Sequence, residues 1–315
     1  MDQSLLSSRA IMGMYFARLE ADRSGLWLPG VSNLFSSDQA SETYNFLGQS
    51  PAMREWIGGR QAKGFSGQGV TIINKHYEAT LEIAVRDARR DKTPQIQARV
   101  AEFADRGVTH WGSLLSDLIL AGETTACYDG QFFFDTDHSE GDSGTQSNDL
   151  AITLSTLPVV TAGTAAAPSM ESMQQVILRC ISAILGFKDD RGEPMNEGAS
   201  QFTVMVPAPL YPAALAAVST MSSAALPNNF NPNNMGFQVS VGMNPRLTWT
   251  TKIAVFRTDS PIKALIRQTE TEAELKAKAE GSEFEFDNDA WQFGIDAWRG
   301  VGYGYWQRAC LATMA

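Results

Sequence analysis

The densest group of chemically capable side chains is Asp135-Thr136-Asp137-His138, followed by Glu140 and Asp142. Carboxylates and an imidazole this close suit cation binding, or paired acid and base work in a cleft. A calcium loop of the EF-hand type needs glycine at its sixth position and glutamate at its twelfth. Those positions hold Glu140 and Gln146, so the calcium reading fails. The spacing leaves a solvated acidic loop whose aspartates close local turns. An acid/base hydrolase acting through Asp135 and Asp137 is the catalytic alternative. The three histidines, His76, His110 and His138, form neither H-x-x-x-H nor H-E-x-x-H, so the sequence nominates no metal ligand set and no catalytic histidine.

Other motifs fail in similar ways. GFSGQG at residues 64–69 has neither the G-K-[ST] ending of a phosphate loop nor the second glycine of G-x-S-x-G. Gly300, Gly302 and Gly304 alternate within GVGYGYW, which reads as a strand that another backbone approaches closely. Arg86, Arg89, Arg90 and Lys92 are interleaved with Asp87 and Asp91, the pattern of an ion-pairing face. Cys127, Cys180 and Cys310 include no C-x-x-C pair and give no disulfide framework, which favours a reducing compartment. No catalytic residue, metal ligand or cofactor site emerges.

The elements that would carry these residues are legible by their periods. The 315 residues are 43% apolar and 19% charged, the balance of a folded chain, with a net charge of −10 that opposes nucleic-acid reading. The most apolar tract, 157–168, falls short of the ~20 residues a spanning helix needs. Residues 1–43 read as a short amphipathic helix and then a loosely packed arm. Residues 70–85 alternate at period two, as a half-buried strand does. The spacing of Ile96, Val100, Phe103, Trp111, Leu114, Leu115 and Leu118 predicts one long helix over 94–121, with Gly107 at a skipped position on the same face. Further helices are expected over 171–187 and 212–221. Strands are expected at 202–207, 237–241, 247–256 and 283–286. Helices and strands joined by long irregular connections indicate an α+β fold.

Four motifs in order carry a family resemblance. They are MREWIGGR at 53–60, NKHYEATLEI at 74–83, LLSDLILAGETTACYDGQFFFDTDH at 114–138 and WQFGIDAWRGVGYGYWQRA at 291–309. Together they resemble the major head subunit of Mu-like bacteriophages, the gpT family. The resemblance implies a Hong Kong 97-type capsid fold. In that fold residues 1–43 are an N-terminal arm and 44–86 an E-loop hairpin with flanking strands. Residues 87–149 are a peripheral domain with its spine helix at 94–121, 150–243 an axial domain, and 244–315 a return to the peripheral sheet.

The implied function is self-assembly, as hexamers and pentamers, into an icosahedral head enclosing double-stranded DNA. A scaffold or protease and a portal are the implied assembly partners, with a decoration protein outside. The virion, assembled in the host cytoplasm, is the implied location, with no membrane partner and no enzyme activity. An encapsulin-like or prophage-derived shell protein and a monomeric binding module are the other structural readings. At the hairpin tip Gln61, Lys63, Phe65 and Gln68 are expected to touch a neighbouring subunit, because three glycines and one aromatic cannot build a core. Trp56, Trp291, Trp298, Tyr303, Tyr305 and Trp306 are the candidate interface aromatics. The negative charge would weaken adhesion to packaged DNA.

Overall fold

A computed structural model describes residues 8–21, 27–44, 69–90, 95–222 and 237–315. The principal elements, in chain order, are α1 (Ser8–Ala21), α2 (Leu28–Val31), β1 (Ser32–Ser36), β2 (Ser41–Tyr44), β3 (Val70–Ile73) and β4 (Lys75–Ala84). Next come α3 (Val85–Arg90), α4 (Gln95–Leu120), β5 (Asp149–Ile152), β6 (Gly163–Thr164), β7 (Ala167–Pro168) and α5 (Met170–Gly186). The chain continues through β8 (Gln201–Val206), α6 (Tyr211–Ser222), β9 (Gln238–Met243), β10 (Lys252–Arg257) and β11 (Leu265–Lys278). It closes with α7 (Glu283–Asn288), β12 (Ala290–Tyr303) and β13 (Ala309–Met314).

Two sheets organise these elements. A four-stranded sheet runs β1-β11-β12-β4, and a five-stranded sheet runs β5-β13-β10-β8-β9. The long helix α4 buries Ile96, Val100, Ala104, Trp111, Leu115 and Ile119, the stripe that its spacing of three and four demands. Gly107 sits on that face, where an added Cβ would lie 3.5 Å from both Ile295 and the Tyr15 hydroxyl. Trp111 takes the guanidinium of Arg299 at 4.6 Å and that of Arg267 at 5.6 Å, a cation–π clamp joining helix to sheet. Helix α5 buries Met173, Val176, Ile177, Cys180, Ile181 and Ile184 in the larger core, alongside β10 and β13 of the five-stranded sheet.

Several expectations require correction. The described parts of segment 1–43, read as a helix and a loosely packed arm, are tied down. Ile11 and Tyr15 of α1 are buried in the smaller core with α4, and β1 pairs in parallel with β11. Arg267 Nε donates to Ser32 Oγ at 2.8 Å across 235 positions of sequence, a contact no local pattern encodes. Residues 244–315 do not return to one sheet. Strands β11 and β12 join β1 and β4, whereas β10 and β13 run between β5 and β8 in the other sheet. This segment crosses between the sheets twice, and its two crossings lie side by side, with Gly304 N donating to Ala264 O at 2.8 Å. A Cβ on Gly304 would fall 2.4 Å from Lys263 O, so only glycine permits this approach.

The strand expected at 283–286 is helix α7. Ser282 Oγ accepts from Glu285 N, and the Glu285 carboxylate accepts from Gly281 N, so an S-x-x-E cap had marked a helix start. Strand β11 went unread, although Gln268, Glu270, Glu272 and Glu274 alternate with Thr269, Thr271, Ala273 and Leu275 at period two. The expected N-terminal residue of the long helix, Pro94, and residues 61–68 of the hairpin tip lie outside the described residues.

Candidate functional site

The first candidate is the segment joining α4 to β5, which carries the Asp135–Asp142 cluster. It is a solvated loop only in part: Thr136, Asp137, Asp142 and Thr145 are exposed, and other residues tie it to the core. Asn148, fully buried, donates to Phe133 O at 2.8 Å and accepts from Asp135 N at 2.9 Å, while its own carbonyl accepts from Leu311 N of β13 at 2.7 Å. Gln146 exchanges side-chain bonds with both backbone groups of Lys188, at 2.7 and 3.1 Å. Gly122, at the end of α4, has Phe134 lying where its Cβ would project, 2.6 Å away. Asp137 is exposed and Asp135 half-buried. No cleft-bound pair of carboxylates forms from them.

His138 points the other way and is fully buried. Its ring stacks on Trp306 with centroids 3.9 Å apart and planes 8° from parallel. Its Nδ1 lies 2.7 Å from Asp129 Oδ2, and Cys127 Sγ donates to Asp129 Oδ1 at 2.9 Å. Burial opposes charge on Asp129, but the bonds from His138, Cys127 and the Gln131 amide outweigh it and hold the carboxyl below its usual range. Burial, and then the Asp129 charge, push the Cys127 thiol far up. A thiol kept protonated and bonded to a carboxylate instead of an imidazole is not set up as a nucleophile. Beside it Tyr128 donates to the Glu140 carboxylate, and Gln307 Nε2 donates to the Tyr128 hydroxyl at 2.9 Å. Burial raises Glu140 above the ordinary carboxyl range. Sequence reasoning missed Asn148 and Gln307 because they act through partners distant in the chain, and Asp129 because its near partners, Cys127 and His138, match no ligand-spacing motif.

The candidate interface aromatics divide sharply. Trp291, Tyr303, Tyr305 and Trp306 are buried within the subunit, so the expectation that they form a contact surface is corrected. Tyr303 stacks on Phe133 and donates to Leu118 O at 2.8 Å, and Trp306 is covered by His138 and Phe187. Trp298 remains 38% exposed. Trp56, Gln61, Lys63, Phe65 and Gln68 lie outside the described residues.

The second candidate is the outer face of the four-stranded sheet. Strands β2 and β3 form a ribbon, Ser41 opposite Ile73 and Tyr44 opposite Val70. The ribbon lies on β12 where Gly300 and Gly302 leave the sheet bare. A Cβ at either position would come within 2.7 Å of Ile72 side-chain atoms, which confirms the close approach read from the alternating glycines. Gln268, fully buried, pins the root. It accepts from the Tyr44 hydroxyl at 2.7 Å and donates to Asn74 Oδ1 at 2.8 Å. Burial, with the nearby Glu42 charge, pushes the Tyr44 phenol up to about 12, so it stays a donor at neutral pH. Past the root, the exposed Trp298 stacks on His76, and Lys276 pairs with Asp296 at 2.7 Å.

A pinned ribbon root, one long helix across a four-stranded sheet, and a five-stranded sheet with its own helices define a class: the capsid fold of tailed phages. The procapsid chain of bacteriophage JBD30 has this architecture, with a TM-score of 0.52 and 22% identity over 96% of this chain and 72% of that one.

The family follows from sequence. Residues 13–159 and 248–314 match the family described as Mu-like prophage major head subunit gpT, and the chain belongs to it. It is 36% identical over 111 residues to the Mu-like prophage FluMu major head subunit of Haemophilus influenzae, covering 35% of this chain and 36% of that protein. It is 34% identical over 109 residues to the major capsid protein of Escherichia phage Mu, covering 34% and 35%. Each match thus spans about a third of the relative's length. Among the described residues no helix is long and apolar enough to cross a membrane.

Proposed function

We propose that this chain is the major capsid subunit of a Mu-like phage or prophage. In this reading it self-associates as hexamers and pentamers into an icosahedral head around double-stranded DNA, assembling in the host cytoplasm. The observation that carries the reading is the family match, which spans both α4 and the strands that bear the ribbon root. A scaffold or protease, a portal and an outer decoration protein are the partners it implies. The two aspartates that would serve a hydrolase stand apart from the buried His138, which leaves the structural role as the better reading. The net charge of −10 fits a wall along which DNA slides.

The ribbon supplies a mechanism of association. Its root, β2 and β3, is fixed by Gln268 and by Ile72 over Gly300 and Gly302, and residues 45–68 between the two strands lie outside the described residues. A two-stranded projection is at best marginally stable alone and gains order by lying on a neighbour. Electron microscopy of the purified protein under assembly conditions is the test. Rings or closed shells are expected, and a monomer at every concentration and salt would refute the proposal. Replacing residues 61–69 with a two-residue turn is expected to leave thermal unfolding of the isolated subunit nearly unchanged and to abolish shell formation. Normal shells from the shortened chain would remove the hairpin from the assembly contact.

A further inference from the structure

We propose that Cys127, Asp129 and His138 form a binding site for one divalent cation, with zinc the ion that the donor chemistry selects. One ligand atom from each of the three side chains lies within 4.8 Å of the other two. Sulfur, imidazole nitrogen and carboxylate oxygen together favour zinc over calcium or magnesium, which take oxygen donors almost exclusively. The site is built rather than accidental. His138 is fully buried, the Asp129 side chain is 4% exposed, and the half-buried Cys127 provides the way in.

Charge points the same way. Among the described residues the side chain paired with Asp129 is the His138 imidazole, with no lysine or arginine within 4 Å of the carboxylate. His138 Nε2 is buried without a hydrogen-bond partner, so the ring is only half satisfied by the protein. Two protons now hold the three donors together, one in the S–H bond to Oδ1 and one between Nδ1 and Oδ2. A cation would take their place. Binding releases the thiol proton to solvent, and the proton now between Nδ1 and Oδ2 moves to Nε2 as the imidazole ligates through Nδ1. The present gaps of 2.9 and 2.7 Å suit hydrogen bonds. Tetrahedral bonds of ~2.0 to 2.3 Å set donors ~3.3 to 3.6 Å apart, so the side chains must open by roughly half an ångström or somewhat more. The fourth position is left to water.

The test uses the full chain, stripped of metal, titrated with Co²⁺ and then Zn²⁺. One equivalent of Co²⁺ should produce a thiolate-to-cobalt charge-transfer band with tetrahedral visible bands, and Zn²⁺ should bleach both. Cys127→Ser should abolish the charge-transfer band, while Asp129→Asn and His138→Gln should weaken Zn²⁺ binding roughly a hundredfold or more in protein whose circular dichroism is unchanged. A folded subunit that shows no band, or a band that survives Cys127→Ser and so belongs to Cys180 or Cys310, overturns the proposal. So does unchanged affinity in both the Asp129 and His138 variants. Should Cys127→Ser fail to fold, zinc-edge X-ray absorption of the wild-type chain decides: one sulfur beside nitrogen and oxygen ligands supports the site, and a zinc shell without sulfur refutes it.

Discussion

Two histidine–tryptophan stacks, each with an aspartate on the imidazole, occupy opposite environments in this chain. His138 lies on Trp306 at 3.9 Å with Asp129 2.7 Å from its ring, and the His138 and Asp129 side chains are 0% and 4% exposed. His76 lies on Trp298 at 4.7 Å with Asp296 3.4 Å away, and the corresponding exposures are 46% and 25%. The residue types are the same, and desolvation separates them. Where water is excluded, a charge pair interacts strongly and a lost partner leaves a costly orphan. Where water remains, the pair is screened and contributes little to folding. The buried trio therefore locks the junction between the two sheets, and the exposed trio is free to meet another surface.

Tryptophan truncation should show the largest gap. Trp306→Ala removes a fully buried indole from the larger core and is expected to cost about 4 kcal/mol in urea unfolding. Trp298→Ala, at 38% exposure, should cost under about 1 kcal/mol. If the two losses are equal, burial is not what distinguishes the stacks. The histidines come next. His138→Ala removes the imidazole bonded to the buried Asp129 carboxylate and is expected to cost about 3 kcal/mol. His76→Ala should stay within about 0.5 kcal/mol by the same denaturation assay.

The smallest and sharpest contrast is titration. Asp129 and Asp296 are both held below the ordinary carboxyl value. A depressed carboxyl stabilises the fold above its unfolded pKa, ~3.9, and that contribution is lost as pH falls through the lower folded value. Acid unfolding should therefore steepen below about pH 4, and Asp129→Asn should flatten it. Glu140, raised chiefly by burial, runs in the opposite sense: its penalty is relieved as pH falls, so Glu140→Gln exposes the Asp129 loss more cleanly. Salt separates the two aspartates. The hydrogen bond and charge of Lys276 dominate the Asp296 shift at an exposed site, so about 1 M salt, with a Debye length of ~3 Å, should return it toward the ordinary value by carbon-detected NMR titration. Asp129 should not move. A salt-insensitive Asp296 would mean that its pairing is not electrostatic.

How far the sequence reached can be judged residue by residue. The stripe from Ile96 to Leu118 announced α4 because a period of 3.6 is written in neighbouring residues, and the structure runs that helix from Gln95 to Leu120. Gly300 and Gly302 announced a close approach because a missing Cβ is a local fact, although nothing local said that Ile72 would fill the space. The cap at Ser282 and Glu285 and the alternation along β11 were equally local. Both signals are written in neighbouring residues.

Other features were never local. The pairing of β1 with β11, the division of residues 244–315 between two sheets, and the joining of Asn148 to Leu311 all close long loops whose entropy is offset only by the assembled core. The same holds for the candidate sites. By itself the sequence determined that a long amphipathic helix, a glycine-bared strand and an acidic segment ending at His138 exist, because spacing and side-chain type are properties of a few adjacent residues. Only the tertiary structure decided that His138 and Trp306 are sealed inside while His76 and Trp298 face water. Burial is a property of everything packed around a residue, and identical aromatic and imidazole groups carry no mark of which side they will take.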